Sequence, residues 1–468
     1  MTDALFARVG RSAGEIAVIG LGKSGYAVAA LLRRAGYAVY ASDGGTSASV
    51  VAKAAQLRAL GAAVDVGAHD VPRIAAAAMV VASPGVPPSA PALQAAAAAN
   101  VPIVGELEVA LNAMPGLRYI AITGTNGKTT TTALTGHVLR ALGYDAVDAG
   151  NIGTALAEVA LRDTPPAWVA LECSSFQLHD TPGIAPTVGV VTNLSPDHLD
   201  RYVSISDYFA DKARIFANDG PDSCWVLNGD DEQVLQLHQR LGRSGALSGA
   251  VHTFRIGHPA DAWFEPDTGQ LHLLGQPLLH RSDLALVGDH NVANALTAVL
   301  AVSVASPLHR TSDARRIMAD ALRTFHALPH RLEPVPTTDG RLWLNDSKAT
   351  NVSSTLVAVQ GMTRPFVLLL GGRHKGEPYA ALAEPFSTHG KTVLAYGEAA
   401  DQIVHDLQSR IPVEHVTGTF ADVIARARAL TMPGDAVLLS PACSSYDMFK
   451  DYEERGAAFR ALAGGVAA

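Results

Sequence analysis

The stretch Thr123-Gly-Thr-Asn-Gly-Lys-Thr-Thr130 carries the clearest chemistry in the sequence. A strand-like run, Tyr119 to Thr123, precedes it and a helical pattern follows, which is the setting a phosphate-binding loop requires. Its glycines let backbone N–H groups approach phosphate oxygens, and the start of the next helix adds a favourable dipole. Lys128 suits the β- and γ-phosphates of a nucleotide, and the Thr129 hydroxyl suits Mg²⁺. The loop departs from the strict Walker pattern, which would place glycine at Ile122. A second glycine turn, Gly20-Leu-Gly22-Lys-Ser-Gly25, is followed eighteen residues later by Asp43. This spacing fits a dinucleotide fingerprint, and it also fits a tight strand-to-helix turn with no ligand. Glu172 closes a strand and opens the run Cys-Ser-Ser-Phe-Gln. Mg²⁺ prefers a few hard oxygen ligands beside substrate phosphates, so Glu172 is a metal candidate. His198, in Thr192-Asn-Leu-Ser-Pro-Asp-His-Leu-Asp-Arg201, is a less usual Mg²⁺ ligand and by itself also fits a helix cap or a core position.

The elements that must position these groups alternate between strand and helix. Ile16 to Ile19, the turn, a helix over Tyr26 to Arg34 and a strand over Ala38 to Ser42 make a β-α-β unit, and Met79 onward reads as another strand. After the linker Asn112-Ala-Met-Pro-Gly116 the pattern restarts. The helix after the phosphate loop carries Leu134, Val138, Ala141 and Leu142 on one face, with Gly143 as its stop. Further strands are expected at Trp168 to Leu171 and Thr187 to Thr192, and a helix around Asn294 to Ser303. From Leu328 a third series follows, with strands at Leu342 to Leu344, Phe366 to Leu370, Val393 to Tyr396 and Ala436 to Leu439. The expectation is α/β architecture in three domains: an N-terminal Rossmann-like domain, residues 1–110; a central P-loop ATPase-like parallel sheet, 111–327; and a C-terminal Rossmann-like domain, 328–468.

A length of 468 residues suits about three domains, and 48% hydrophobic residues can supply each with a core. The net charge of −8 argues against a nucleic-acid partner. Cys173, Cys224 and Cys443 are scattered and odd in number, which fits a reducing cytoplasm better than a disulfide framework or a zinc site. No signal-peptide pattern opens the chain, and no apolar run reaches the ~18 residues of a membrane span.

The motifs together resemble the Mur ligases. Thr-Gly-Thr-Asn-Gly-Lys-Thr, Gly150-Asn-Ile-Gly153, Glu172-Cys-Ser-Ser-Phe-Gln-Leu178, Asp197-His-Leu-Asp-Arg201, Asp289-His-Asn-Val-Ala-Asn-Ala295 and Leu328-Pro-His-Arg331 occur in that family's order, and folylpolyglutamate synthetases share part of the set. Asn345-Asp-Ser-Lys-Ala-Thr-Asn351, Leu370-Gly-Gly-Arg-His-Lys-Gly376 and Leu439-Ser-Pro-Ala-Cys-Ser-Ser-Tyr-Asp-Met-Phe-Lys450 resemble its glutamate-adding branch. A nicotinamide-dependent oxidoreductase would explain the first glycine turn but leave the phosphate loop and the Glu172 segment unused. A nucleotide sensor would need neither an amino-acid pocket nor the N-terminal domain.

The resemblance implies an ATP-dependent ligase that joins D-glutamate to UDP-N-acetylmuramoyl-L-alanine through an acyl phosphate, as a cytoplasmic monomer in peptidoglycan precursor synthesis. In that reading Lys23, Ser24, Gly25, Asp43, Gly85 and Asn151 meet the UDP-substrate, with Gly44 and Gly45 replacing the family's Thr-Arg pair. Gly124, Thr125, Asn126, Gly127, Lys128, Thr129, Thr130, Asn294, Arg331 and Asp346 meet ATP. Thr129, Glu172, His198 and Lys212, the last as a carbamate, serve two Mg²⁺ ions. Lys128, His198 and Lys212 take the catalytic roles. Lys348, Thr350, Lys375, Ser445 and Tyr452 form the glutamate pocket, with Tyr452 where phenylalanine is usual. An ammonium at Lys212 would repel Mg²⁺, whereas its CO₂ adduct is anionic and offers oxygens. Two lysines and several hydroxyls suit an amino acid bearing two carboxylates.

Overall fold

Three β-sheets, each flanked by helices, follow one another along the chain of this computed structural model, which describes residues 14–197, 202–243, 247–286 and 288–464. The first sheet is wholly parallel: β1 (Glu15–Ile19), β2 (Ala38–Asp43), β3 (Ala63–Val66), β4 (Met79–Ala82) and β5 (Ile103–Gly105), in the order β3-β2-β1-β4-β5. The order reverses beside β1, so the glycine turn after β1 and the Ser83-Pro84-Gly85 turn after β4 lie at the switch point where α/β sheets take ligands. The first helix starts at Lys23 rather than Tyr26, so Lys23, Ser24 and Gly25 form its first turn. It can start there because a Cβ at Gly25 would lie 1.8 Å from Gly20 O, and only glycine permits so close an approach.

The second sheet has nine strands: β6 (Tyr119–Thr123), β7 (Ala146–Gly150), β8 (Trp168–Glu172), β9 (Val188–Val191), β10 (Cys224–Asn228), β11 (Ala250–Ile256), β12 (Ala262–Glu265), β13 (Gln270–Leu273) and β14 (Gln276–His280). Their order is β14-β13-β12-β11-β10-β9-β6-β8-β7. β7 to β12 pair in parallel, and β12-β13-β14 form an antiparallel edge that the sequence patterns did not announce. β6 is an interior strand between β9 and β8, and the predicted apolar face of the helix Lys128–Ala141 is buried at Leu134 and Val138. The helix Asp289–Val304 packs beside it, buried along most of its length. A continuous apolar cluster runs from Ile16 and Val18 through Leu107 and Val109 to Leu171 and Trp225, so the first two sheets share a hydrophobic seam.

The third sheet contains β15 (Glu333–Val335), β16 (Leu342–Asn345), β17 (Phe366–Gly371), β18 (Gly390–Tyr396), β19 (Val413–His415) and β20 (Ala436–Leu439), in the order β15-β16-β20-β17-β18-β19. Only the edge strand β15 is antiparallel. β16, β20 and β17 are neighbours, so the loops that follow them, with Lys348 and Thr350, Ser445, and Lys375, leave one sheet edge together. The chain's last described helix, Tyr452–Ala463, packs against β16. Among the described residues no helix is long and apolar enough to cross a membrane.

Candidate active site

The phosphate loop leaves β6 and turns into the helix Lys128–Ala141 at Gly127, whose φ of +80° lies in the left-handed region. A Cβ at Gly127 would stand 2.5 Å from Asn294 Oδ1, so glycine also permits the helix Asp289–Val304 to approach. No side chain caps the Lys128 helix, which leaves its first N–H groups directed at the cleft as an anion site. Lys128 Nζ folds back onto Thr125 O at 2.7 Å. Thr192 Oγ1 and Asn193 Nδ2 both donate to Asn126 O, at 2.6 and 3.0 Å, fixing the loop to the segment after β9.

β8 flanks β6 in register, Ile122 opposite Glu172, so Glu172 ends level with the loop. Its carboxylate is buried; Oε1 accepts Asn151 Nδ2 at 2.8 Å, while Oε2 has no hydrogen-bond partner. A buried carboxylate oxygen without a donor is costly unless a cation completes it. Lys212, on the helix Ile205–Ala213, is 1% exposed and donates to Gly124 O at 2.7 Å. Burial, reinforced by the Lys128 ammonium, holds its amine well below the ordinary lysine value. Burial also lowers Lys128, and Glu172, Asp197 and Arg331 lie close enough to act on it electrostatically. Burial pushes Lys348 down to about 8, with Arg331 assisting. Lys128, Lys212, Arg331 and Lys348 thus crowd around Glu172 and Asp197, a balance suited to a polyanionic ligand.

The third sheet reaches this centre directly. Arg331 Nη2 donates to Thr129 Oγ1 at 2.6 Å, and Asn351 Nδ2 donates to Asp197 Oδ2 at 2.9 Å. Asn126 Nδ2 donates to Ser353 Oγ, and Ser354 Oγ donates to Asn126 Oδ1. Between the two sheets lies a cavity of about 430 Å³, lined by Gly127, Thr130, Asn294, Arg331 and Asp346 among others. Its volume and mixed lining are those of a small-molecule site. Asp346 is buried, accepts from Ser440 Oγ at 2.8 Å, and is pushed up to about 7 by burial. Asn193, His290 and Asn291 also line this cavity, although sequence reasoning gave them no role. Two of them stand in the Asp289-His-Asn motif, which was the available signal.

A second cavity, of about 340 Å³, is lined from all three sheets: Lys23 and Ser24, then Thr129, Asn151 and Gly153, then Lys348 and Tyr452. Lys348 Nζ sits 5.0 Å from the centre of the Tyr452 ring. Lys375 Nζ donates to Thr350 Oγ1 at 3.2 Å, and Ser445 is buried nearby in sequence to the exposed Tyr446. Asp43 turns its carboxylate to its own turns, accepting from Leu21 N at 2.6 Å and Gly45 N at 2.7 Å, and does not line this cavity. Gly85 is exposed in the turn after β4. His198 lies outside the described residues.

Comparison with known proteins gives a consistent result. Residues 14–105 match the description "Mur ligase MurD-like, N-terminal domain", residues 122–302 "Mur ligase middle domain", and residues 330–443 "Mur ligase, glutamate ligase domain". The UDP-N-acetylmuramoylalanine--D-glutamate ligase of Anaeromyxobacter dehalogenans (strain 2CP-C) is 42% identical, over 96% of this chain and 97% of that protein. The protein of that name from Myxococcus xanthus (strain DK1622) is 40% identical, again over 96% and 97%. Among solved structures, the UDP-N-acetylmuramate-alanine ligase MurC of Thermotoga maritima superposes with a TM-score of 0.57 at 19% identity, over 95% of this chain and 98% of that one. That likeness is one of fold.

Proposed function

This chain belongs to the Mur ligase family, and from that premise we propose that it joins D-glutamate to UDP-N-acetylmuramoyl-L-alanine at the expense of ATP. The observation that carries the reading is the 340 Å³ cavity where residues from all three sheets' loops meet, Lys23 and Ser24 with Thr129 and Asn151 and with Lys348 and Tyr452, while Thr350, Lys375 and Ser445 stand outside its lining. In this proposal residues 1–110 bind the UDP-sugar, 111–327 bind ATP and 328–468 bind glutamate. Lys23, Ser24, Gly25 and Asn151 hold the nucleotide sugar, with Asp43 shaping its turn and Gly85 the opposite one. The 430 Å³ cavity takes the nucleoside of ATP against Asn294 and Asp346, and its phosphates lie along Gly124–Thr130 toward Arg331.

The residues present suit Mg²⁺. The partnerless Glu172 Oε2 and the Thr129 hydroxyl are hard oxygens at the phosphate end of the site, and a carbamate on Lys212 would add an anionic group. Burial, which lowers the proton affinity of this amine, favours the neutral form that adds CO₂. His198 joins this set by resemblance. When bound, Mg²⁺ supplies neutralisation of phosphate charge.

The chain's own groups then account for the two steps. The L-alanine carboxylate attacks the γ-phosphorus in line, breaking its bond to the bridging oxygen and giving ADP and an acyl phosphate. Lys128, Arg331 and the helix N–H groups hold the transferring phosphoryl group and balance its charge. The unprotonated glutamate amine attacks the acyl carbon, the carbon's bond to the phosphate oxygen breaks, and inorganic phosphate leaves as the amine gives up a proton. Lys348, Lys375, Thr350 and Ser445 hold the two carboxylates, with Tyr452 against Lys348, so that the amine points at the carbonyl. Steady-state phosphate release tests the reading. It should require ATP, Mg²⁺, the nucleotide sugar and D-glutamate together; full turnover without the nucleotide sugar contradicts it.

A further inference from the structure

Arg455 is 0% exposed, at the centre of the third sheet's C-terminal edge. Among the described residues no carboxylate contacts it in an ion pair, although the buried Asp346 lies close enough to feel its charge. Its guanidinium instead binds neutral oxygens: Nε donates to Ser347 Oγ at 3.0 Å, Nη2 to Ser347 O at 2.8 Å, and both Nη1 and Nη2 to Cys443 O at 3.2 Å. Nη1 also lies 3.5 Å from Gly371 O. Buried charges are ordinarily paired, because desolvating a lone one is costly. A buried cation held by neutral oxygens needs a reason, and its partners supply one.

Those partners belong to the three loops read above as the glutamate pocket. Ser347 precedes Lys348, Cys443 stands two residues before Ser445, and Gly371 opens the turn that leads to Lys375. The Ser347 hydroxyl passes the connection on to Tyr452 O at 2.8 Å. Around the guanidinium the last two loops are also joined to each other, Arg373 N to Ser444 O at 2.9 Å and Ser444 N to Arg373 O at 3.2 Å. The next residue on the helix, Gly456, packs so tightly on His330 that a Cβ there would lie 2.0 Å from its Nδ1. His330 neighbours Arg331, which reaches the phosphate loop. The one helix Tyr452–Ala463 therefore braces both the amino-acid loops and the segment that carries Arg331.

We propose that Arg455 is the residue that makes the pocket selective for a dicarboxylate: its forked hydrogen bonds set the three loops, and its charge, which no contacting carboxylate takes up, favours an anionic side chain over the corresponding amide. The inference rests on the glutamate reading of the C-terminal domain. Wholly buried, with its donors turned to the loops, Arg455 acts as a positioning residue and as a fixed charge behind the pocket. A unit charge about 10 Å from a carboxylate, at an effective dielectric of about 20, changes an affinity roughly tenfold.

The test compares wild type, Arg455→Gln and Arg455→Lys in kcat/KM for D-glutamate and D-glutamine, with the KM for ATP and the thermal unfolding midpoint measured alongside. Arg455→Gln keeps hydrogen-bonding capacity without charge, and should lose roughly tenfold of the acid-over-amide preference while the KM for ATP stays within about twofold. Arg455→Lys keeps charge without the fork, and should raise the KM for glutamate while retaining most of the preference. A folded Arg455→Gln protein with unchanged preference, or with KM for glutamate and ATP rising together, overturns the inference. Should Arg455→Gln not fold, the lysine variant decides: a preference that falls along with affinity refutes the charge argument. Failure of the wild type to join glutamate would instead refute the pocket reading on which this rests.

Discussion

Replacing Lys212 with alanine separates a working carbamate from a merely buried lysine. The side chain is 1% exposed, its Nζ donates to Gly124 O at 2.7 Å and lies 4.7 Å from the centre of the Tyr208 ring. Truncation empties the volume of a four-carbon stem and removes the donor from a buried carbonyl, costs of about 2–5 and 1–3 kcal/mol in comparable settings. Relief of a desolvated amine beside Lys128 offsets part of this, so the net loss should be about 1–3 kcal/mol and leave a folded protein. Catalysis should fall much further, since a preorganised charge at a transferring group is worth roughly 10²–10³ in rate. The vacated space, bounded by Tyr208 and Gly124, can admit a short carboxylate in place of the carbamate. The assay is phosphate release by Lys212→Ala, titrated with potassium propionate against potassium chloride at matched ionic strength. Carboxylate should restore part of the activity. Near-normal activity without additive would refute the reasoning, and so would rescue by methylamine but not by carboxylate, which would make the amine itself the working group.

Further outcomes follow from the same geometry. Lys128→Ala should lower phosphoryl transfer by roughly 10² or more in single-turnover measurements, with the fold intact by circular dichroism. Arg331→Ala breaks the 2.6 Å bond from the third sheet to Thr129 and should weaken ATP binding by calorimetry more than it weakens binding of the nucleotide sugar. Asp346 is raised from 3.8 to about 7, so between those pH values the folded state holds a proton that the unfolded state has released. Its contribution to stability therefore falls as pH rises through that window, and denaturant titrations should show Asp346→Asn gaining on wild type from pH 4 to 7.

The parts of the site that rest on local backbone chemistry were legible in the sequence. The phosphate loop announces itself because Gly127 must take a positive φ between a strand and a helix, and the helix after it shows Leu134 and Val138 at helical spacing. The strands β6 and β20 stand where the apolar runs placed them. What the sequence hid is long-range. The bonds from Asn126 to Ser353 and Ser354, and from Arg331 to Thr129, join residues some two hundred positions apart, and such pairs leave no periodic trace. Arg455 in Glu-Glu-Arg-Gly reads as a surface charge until the helix is seen to turn it into the sheet edge. In the antiparallel edge, β13 and β14 were missed because short strands rich in His, Gln and Pro carry little β signal, and the four residues of β12 are too few to show alternation. The roles proposed for Lys212 and for the glutamate-pocket residues rest on resemblance, since an isolated lysine or serine has no spacing of its own to mark it.

The central claim is that three substrates meet where the three sheets converge, and that the amino acid among them is D-glutamate. The most direct measurement supplies ATP, Mg²⁺ and UDP-N-acetylmuramoyl-L-alanine with D-glutamate, L-glutamate, diaminopimelate or lysine in separate reactions at equal concentration, and follows the UDP-linked product by mass. The account predicts a product heavier by one glutamyl residue, formed fastest from D-glutamate, with one ADP and one phosphate released for each. Faster turnover with L-glutamate would contradict the assignment of hand, and comparable turnover with diaminopimelate or lysine would contradict the reading of the pocket itself.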